Sequence, residues 1–278
     1  MEECGIAMSA RKKNCGMDLE LIKREPESVA RPTPLLFVHG MWHGAWCWEE
    51  HFLPYFAQHG YKSYALSLRG HGASEGRERL RWTTLADYVD DVTQVVNQME
   101  NPPVMVGLSM GGMIVQKYLE SHQTPAAILM ASLPPKGIFR AALRVAYNHP
   151  IAFLKANLTM SLIPVIKTPD MAKEMFFSAD MSEEKLMTYF SCMQDESYRA
   201  FLDTLALNLP RPERVKTPML VLGGDNDTVV YPSDNEATAR AYGTKAEILP
   251  GLAHAMMLED NWQAVADRIL EWLSEKKI

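Results

Sequence analysis

The 278-residue chain carries 34 acidic against 28 basic side chains, for a formal net charge of -6. With 47% hydrophobic and 22% charged residues it has the composition of a globular protein with material for a sizeable core. The acidic balance argues against a nucleic-acid partner, which needs a clustered basic surface, and no apolar run approaches the ~18 residues that span a bilayer.

Residues 1–17, MEECGIAMSARKKNCGM, are polar and lack both an apolar h-region and a cleavage site. They read as a disordered tail or extension rather than a secretory signal, with folded sequence expected from about Asp18. Cys4, Cys15, Cys47 and Cys192 are scattered, with no metal-type or C-x-x-C spacing, which fits free thiols and a cytoplasmic location.

Beyond the tail, short apolar runs alternate with helical patterns, as in a mostly parallel sheet flanked by helices. Leu35 to Val38 is a continuous apolar run ending at His39-Gly40, the mark of a strand buried on both faces. Tyr61 to Leu68 is a second strand. Leu85, Tyr88, Val89, Val92, Val95, Val96 and Met99 then share a helix face behind a Thr84/Asp87 capping box. Val104 to Val106 follows the breaker pair Pro102-Pro103 and runs into Gly107, and a helical stretch extends from Met113 to Ser121. Ala126 to Ala131, Met219 to Leu222 and Lys245 to Leu249 are further strands. Trp262, Val265, Ala266, Ile269, Leu270 and Leu273 mark a final helix.

One interval breaks this rhythm. Residues 134–216 separate two strands, where ordinary connections take about 2–6 residues. The interval carries helix signals: Thr168-Pro169-Asp170 reads as N-cap, N1 proline and first-turn carboxylate, and Tyr198, Phe201, Leu202 and Leu205 form an apolar face. The expected organisation is an α/β core of residues 18–133 and 217–278, with 134–216 as a helical cap inserted after the sixth core strand. Such an insertion lies above the C-terminal ends of the strands, where open α/β sheets bind ligands.

The chemistry-bearing signal is Gly107-Leu108-Ser109-Met110-Gly111-Gly112, between a buried strand and a helix. In that context a G-x-S-x-G match is a nucleophile elbow. Its glycines avoid clashes with strand and helix, and Ser109 is lifted to a helix N-terminus that favours a developing anion. A serine hydroxyl needs a base. Of the histidines after Ser109, His122 ends the elbow helix and His149 sits in the insertion. His254 alone occupies a short loop after the last strands. The acid that orients it should lie in Gly223-Gly224-Asp225-Asn226-Asp227-Thr228-Val229-Val230. Asp225 and Asp227 compete there, and Asp227 is preferred because it lies deeper in the loop. His39-Gly40-Met41-Trp42-His43-Gly44 follows the first central strand. The backbone N–H groups of Met41 and Met110 would form an oxyanion hole. His39 and His43 have no third ligand at suitable spacing, so no metal is expected.

These motifs resemble the α/β-hydrolases of the esterase, lysophospholipase and monoacylglycerol-lipase type, from about Leu35 to the C-terminus. HGMWHGAWCW is similar to that family's oxyanion-loop block, Arg69-Gly70-His71-Gly72-Ala73-Ser74 to its RGHG-x-S loop, and GLSMGG to its nucleophile block, although Leu108 stands where the family more often has His. The resemblance implies the α/β-hydrolase fold and places the acid at Asp227. It implies a serine hydrolase that needs no cofactor and takes a small-molecule ester through an acyl-enzyme. The expected substrate is a small apolar or medium-chain acyl ester, or a monoacylglycerol-like lipid. Trp42, His39 and Leu108 are expected at the substrate pocket. Trp46, Trp48 and the insertion's Met160, Met171, Met175, Met181, Met187 and Met193 are further candidates for an adaptable apolar lining. The same triad also serves lactonases, C–C bond hydrolases and cofactor-free haloperoxidases, and some proteins of this fold are ligand sensors. Dehalogenase or epoxide-hydrolase chemistry would need a carboxylate at Ser109.

Overall fold

A computed structural model describes residues 16–27 and 29–278. The expected tail, with Cys4 and Cys15, lies outside the described residues up to position 15. Among the described residues β1 (Leu21–Arg24), β2 (Leu35–Val38), β3 (Ser63–Leu66), β4 (Val104–Leu108), β5 (Ala127–Met130), β6 (Met219–Gly224) and β7 (Ala246–Leu249) form one sheet. Its lateral order is β1-β3-β2-β4-β5-β6-β7. Only β1 runs antiparallel to its neighbour.

Every residue of β2, β4, β5 and β6 is buried, which explains their unbroken apolar sequences. The edges differ. β1 reads Leu-Ile-Lys-Arg and is mostly exposed, with Lys23 and Arg24 discouraging a further strand from pairing there. It has no apolar period to reveal it, and only its pairing with β3, Leu21 opposite Leu66, defines it.

The helices α1 (Trp46–Glu49), α2 (Phe52–Gln58), α3 (Leu85–Val96) and α4 (Met110–Tyr118) fall between the first five strands. α10 (Pro232–Ala241) joins β6 to β7, and α11 (Trp262–Glu275) ends the chain. The capping box of α3 is present: the Thr84 N–H donates to Asp87 Oδ2 at 2.8 Å, and Asp87 N–H to Thr84 Oγ1 at 3.1 Å. α4 packs on β2, β4 and β5, α10 on β6 and β7, and α11 against α2. Phe37 lies 5.0 Å from Trp48 and 5.6 Å from Phe56 by ring centroids, the centre of an aromatic cluster beneath α2.

Between β5 and β6 the chain is helical throughout: α5 (Phe139–Asn148), α6 (Pro150–Thr159), α7 (Pro169–Phe176), α8 (Glu183–Cys192) and α9 (Tyr198–Leu202), with short turns. Five strands precede this insertion rather than the expected six, because only β1 comes before the parallel series in the described chain. Thr168 caps α7 through Met171 N–H, as its sequence implied. The apolar face expected from Tyr198 to Leu205 is split, since α9 gives way to a π-helical turn at Asp203–Leu207. The wider turn carries Asp203, which is buried and accepts Leu85 N–H at 3.0 Å. Its carboxylate thus sits at the positive end of α3.

The loop after β3 is held by a charge cluster. Arg69 donates to the fully buried Asp91 from its backbone N–H at 2.9 Å, from Nε at 2.8 Å and from Nη2 at 2.7 Å. Asp91→Ala would leave these donors unmatched. It is expected to cost about 3 kcal/mol, near the lower end for broken buried pairs because Arg69 keeps some solvent contact. A urea midpoint unchanged within error would show that the pair contributes nothing net.

Candidate active site

β2 and β4 run side by side in register, with Val38 opposite Gly107. β3 lies on the other side of β2, so the sheet order reverses here, and the segments leaving β2 and β4 emerge together at the strands' C-terminal ends. Ser109 stands at that exit with φ 54 and ψ -118, a conformation L-residues rarely adopt. Its backbone is pinned: Ser109 N–H donates to Met130 O at 3.0 Å, and its carbonyl accepts from Leu133 and Met113. The turn closes only with glycines around it. A Cβ on Gly111 would fall 2.2 Å from Val38 O, and one on Gly107 would fall 2.6 Å from Gly111 O.

The other half of the site comes from β6 and β7, paired up to Gly224 and Leu249. The two competing aspartates part company here. Asp225 is exposed and accepts Gly251 N–H at 2.7 Å, joining the loops. Asp227 is buried, and its Oδ1 accepts Val229 and Val230 N–H at 2.8 and 2.9 Å. His254 Nδ1–H donates to Asp227 Oδ2 at 2.8 Å. A carboxylate partner at Nδ1 leaves Nε2 as the basic ring nitrogen. Ser109 and His254 line the same cavity, of about 230 Å³.

Met41 also lines it, while Met110 is the first residue of α4. Among the described residues neither backbone N–H donates to another group. Trp42 and Leu108 line the cavity as expected. Trp42 has φ 64, donates from Nε1 to Leu162 O at 3.4 Å, and lies 5.6 Å from the Phe176 ring. His39 does not reach the cavity. It is fully buried, donates from Nδ1 to Gly40 O at 2.8 Å and accepts Leu68 N–H at Nε2 at 3.1 Å, tying two loops together. Burial, and then the neighbouring His71, hold its pKa well below the ordinary value.

Of the two histidines in this loop, the one that lines the cavity is His43, which sequence reasoning considered only as a metal ligand. Its Nδ1–H donates to Met41 O at 2.7 Å, and its ring stacks on Trp46 at 5.4 Å. Nε2 is buried and has no partner among the described residues. Burial lowers its pKa to about 4, so it is neutral near pH 7. The one available signal was its place at the far end of the short HGMWHG loop.

From the insertion, Ile138, Val145, Phe153, Val165, Phe176 and Phe201 supply apolar walls. Of the six candidate methionines, Met171 and Met175 line the cavity. Met160, Met181, Met187 and Met193 do not, and neither do Trp46 and Trp48: Met181 and Trp48 are ordinary core. Arg144, Asn148, His149, Asn157 and Glu174 add polar groups. No group of three His, Cys, Asp or Glu side chains placed to hold a metal occurs among the described residues.

Residues 35–268 match the alpha/beta hydrolase family. The chain belongs to that family. It is 25% identical to the AB hydrolase superfamily protein YisY of Bacillus subtilis, over 81% of this chain and 85% of that protein. Against the monoacylglycerol lipase of Mycolicibacterium smegmatis the identity is 23%, over 81% of this chain and 82% of that enzyme. Among solved structures it resembles the putative non-heme bromoperoxidase BpoC of Mycobacterium tuberculosis, with TM-score 0.76 and 20% identity over 97% of this chain and 100% of that one. This alpha/beta hydrolase is therefore a hydrolytic enzyme, and no helix among its described residues is long and apolar enough to cross a membrane.

The histidine loop gives this hydrolase a defined acid sensitivity. His43 binds a proton near its ordinary 6.5 when unfolded and only near 4 when folded. The unfolded state therefore binds more protons across that window. Stability is complete above about pH 6.5 and falls as the pH drops toward 4, by up to about 3 kcal/mol. His39 acts in the same direction. The urea midpoint should drop between neutral and mildly acidic pH, and His43→Phe should narrow the drop. An unchanged drop in His43→Phe would refute this origin.

Proposed function

We propose that the protein is a serine hydrolase that cleaves carboxylic esters through an acyl-enzyme. The observation that carries this reading is the buried Asp227–His254 pair opening onto the same cavity as Ser109, which stands on a strained turn. Ser109 Oγ attacks the ester carbonyl while His254 Nε2 takes its proton. The N–H groups of Met41 and Met110 hold the resulting oxyanion. As the tetrahedral intermediate collapses, the C–O bond to the alcohol breaks and His254 returns the proton to the leaving oxygen. Water then attacks the acyl-enzyme by the same route, releasing the acid and restoring Ser109. Asp227 keeps Nδ1 protonated throughout and stabilises the transient imidazolium.

Residues 134–216 act as a cap on a core of 18–133 and 217–278. The apolar lining from Ile138, Val145, Phe153 and Met175 supports a medium-chain acyl group, and the similarity to a monoacylglycerol lipase points the same way. Lactone and C–C bond hydrolysis would use the same groups, but a mainly apolar lining favours an acyl chain.

Ser109→Ala is expected to lower kcat by roughly 10⁴–10⁶-fold with the fold intact. Asp227→Asn should cost on the order of 10⁴-fold, because it stabilises the wrong imidazole tautomer, whereas the loop-bracing Asp225→Asn should cost far less. Near wild-type turnover in Ser109→Ala would remove the nucleophile. Reversed aspartate losses would reassign the acid. Across acetate to dodecanoate esters, kcat/KM should rise by at most about fourfold per methylene, then stop when the pocket is full. A profile falling from acetate onward would mean a small acyl group.

A further inference from the structure

The helices that roof the cavity have a second apolar face. Ala141, Ala142 and Val145 of α5, with Phe153 and Ala156 of α6, turn toward the cavity. On α5 the residues Phe139, Leu143 and Tyr147 follow at i, i+4 and i+8 and are 53–88% exposed. On α6, Ile151, Leu154 and Leu158 share one face and are 58–74% exposed. α5 has no fully buried residue, and the two helices pack on each other. Six large apolar side chains on consecutive helices far exceed the scattered exposed leucines of an ordinary surface.

The charge carried by this stretch of chain is one-sided. No carboxylate occurs between Glu120 and Asp170, in a chain of net charge -6. Lys136, Arg140, Lys155 and Lys167 are all exposed in that stretch. The carboxylates that approach from other elements are already engaged. Glu174 is paired with His149 at 3.2 Å, and Asp195 accepts from Ser161 Oγ and the Leu162 N–H just beyond α6. Asp234 of α10, which shares a cleft with Lys136 and Arg140, accepts the Tyr231 N–H. A second copy of the chain is poorly suited to cover this face, since a two-fold contact would set the same basic residues against themselves.

We propose that the outer face of α5 and α6 docks on an anionic lipid bilayer. The apolar rows enter the headgroup–acyl boundary, and the lysines and arginine meet the lipid phosphates, as in other interfacial amphipathic helices. The docked face is then the outer side of the same two helices whose inner side lines the cavity. A lipid substrate would pass from bilayer to site across one helix layer. The binding itself does not depend on the hydrolytic reading.

The test is sedimentation of the full chain with vesicles of phosphatidylcholine alone and of equimolar phosphatidylcholine and phosphatidylglycerol. Partition onto the anionic vesicles should exceed that onto neutral ones by at least about tenfold, given roughly fivefold per basic residue, and should fall with added salt. Lys136→Glu/Arg140→Glu/Lys155→Glu should abolish the preference for anionic lipid. Leu143→Ser/Ile151→Ser/Leu158→Ser should weaken binding at least about tenfold while leaving the melting temperature and hydrolysis of a water-soluble ester near wild type. Should that variant misfold, Tyr147→Ser, at the most exposed position, should still weaken binding severalfold. Wild-type protein staying in the supernatant with both vesicle types would overturn the proposal. So would equal binding by the apolar variant, or a wild-type dimer that this variant dissociates.

Discussion

The close seating of α4 on the C-terminal ends of β2 and β4 fixes everything above the sheet. Gly111 brings the first turn of that helix against the carbonyls of Val38 and His39, nearer than any side chain would allow. Ser109 is thereby forced into a positive-φ conformation, a strain of order 1–3 kcal/mol that only an over-determined surround can hold. Here the surround is the fully buried β4 and backbone hydrogen bonds to Met130, Leu133 and Met113. The same seating lays the segment after β2 alongside: a Cβ on Gly40 would lie 2.9 Å from Ser109 Cβ. The turn that carries Ser109 and the segment after β2 are therefore one packed unit.

The insertion is joined to this unit by polar contacts that range from exposed, at Gln194, to buried, at Glu196 and Ser178. Gln194 accepts Gly72 N–H at 3.0 Å and donates to Gly70 O at 2.8 Å, while its own N–H donates to Trp42 O. Glu196 accepts from Tyr88 OH at 2.6 Å and lies 3.2 Å from His71 Nε2. Ser178 donates to Glu259 from both N–H and Oγ, and burial raises the carboxyl's pKa. Such groups are costly to bury unpaired, so they select one seating of the insertion over slid alternatives.

The contrast shows what a sequence can and cannot disclose. Strands buried on both faces announce themselves, as at Leu35–Val38, and so does a glycine-framed serine between strand and helix. A lone edge strand such as Leu21–Arg24 has no periodicity to find. Gln194-Asp195-Glu196-Ser197 looks like a solvated loop, yet Glu196 and Ser197 are buried because their partners lie more than a hundred residues earlier. His43, and not the expected His39, reaches the cavity for a local reason. Trp42 takes a left-handed conformation between them, which turns the chain so that the second histidine, not the first, meets the cavity. Asp225 and Asp227 are nearly equivalent as letters. Depth in the loop and the family resemblance favoured Asp227, and the pairing of β6 with β7 sets Asp225 on the loop surface and Asp227 against His254.

The cavity's two sides consequently differ in stiffness. Its core side is made of strand ends and short loops whose residues are almost all buried and hydrogen-bonded. Its α5 side rests on small residues, Ala141 and Ala142, with nothing fully buried behind them, so little apolar contact opposes local opening. Besides its packing on α6, α5 is tethered by Arg144, whose Nη2 donates to Val229 O at 2.7 Å and whose guanidinium lies 3.9 Å from the centre of the Tyr231 ring. Val229 is also one of the two residues whose N–H groups fix Asp227. The tether on the pliable wall and the clamp on the buried carboxylate therefore share one residue. An outward shift of α5 would thus pull on the loop that carries Asp227, the partner of His254.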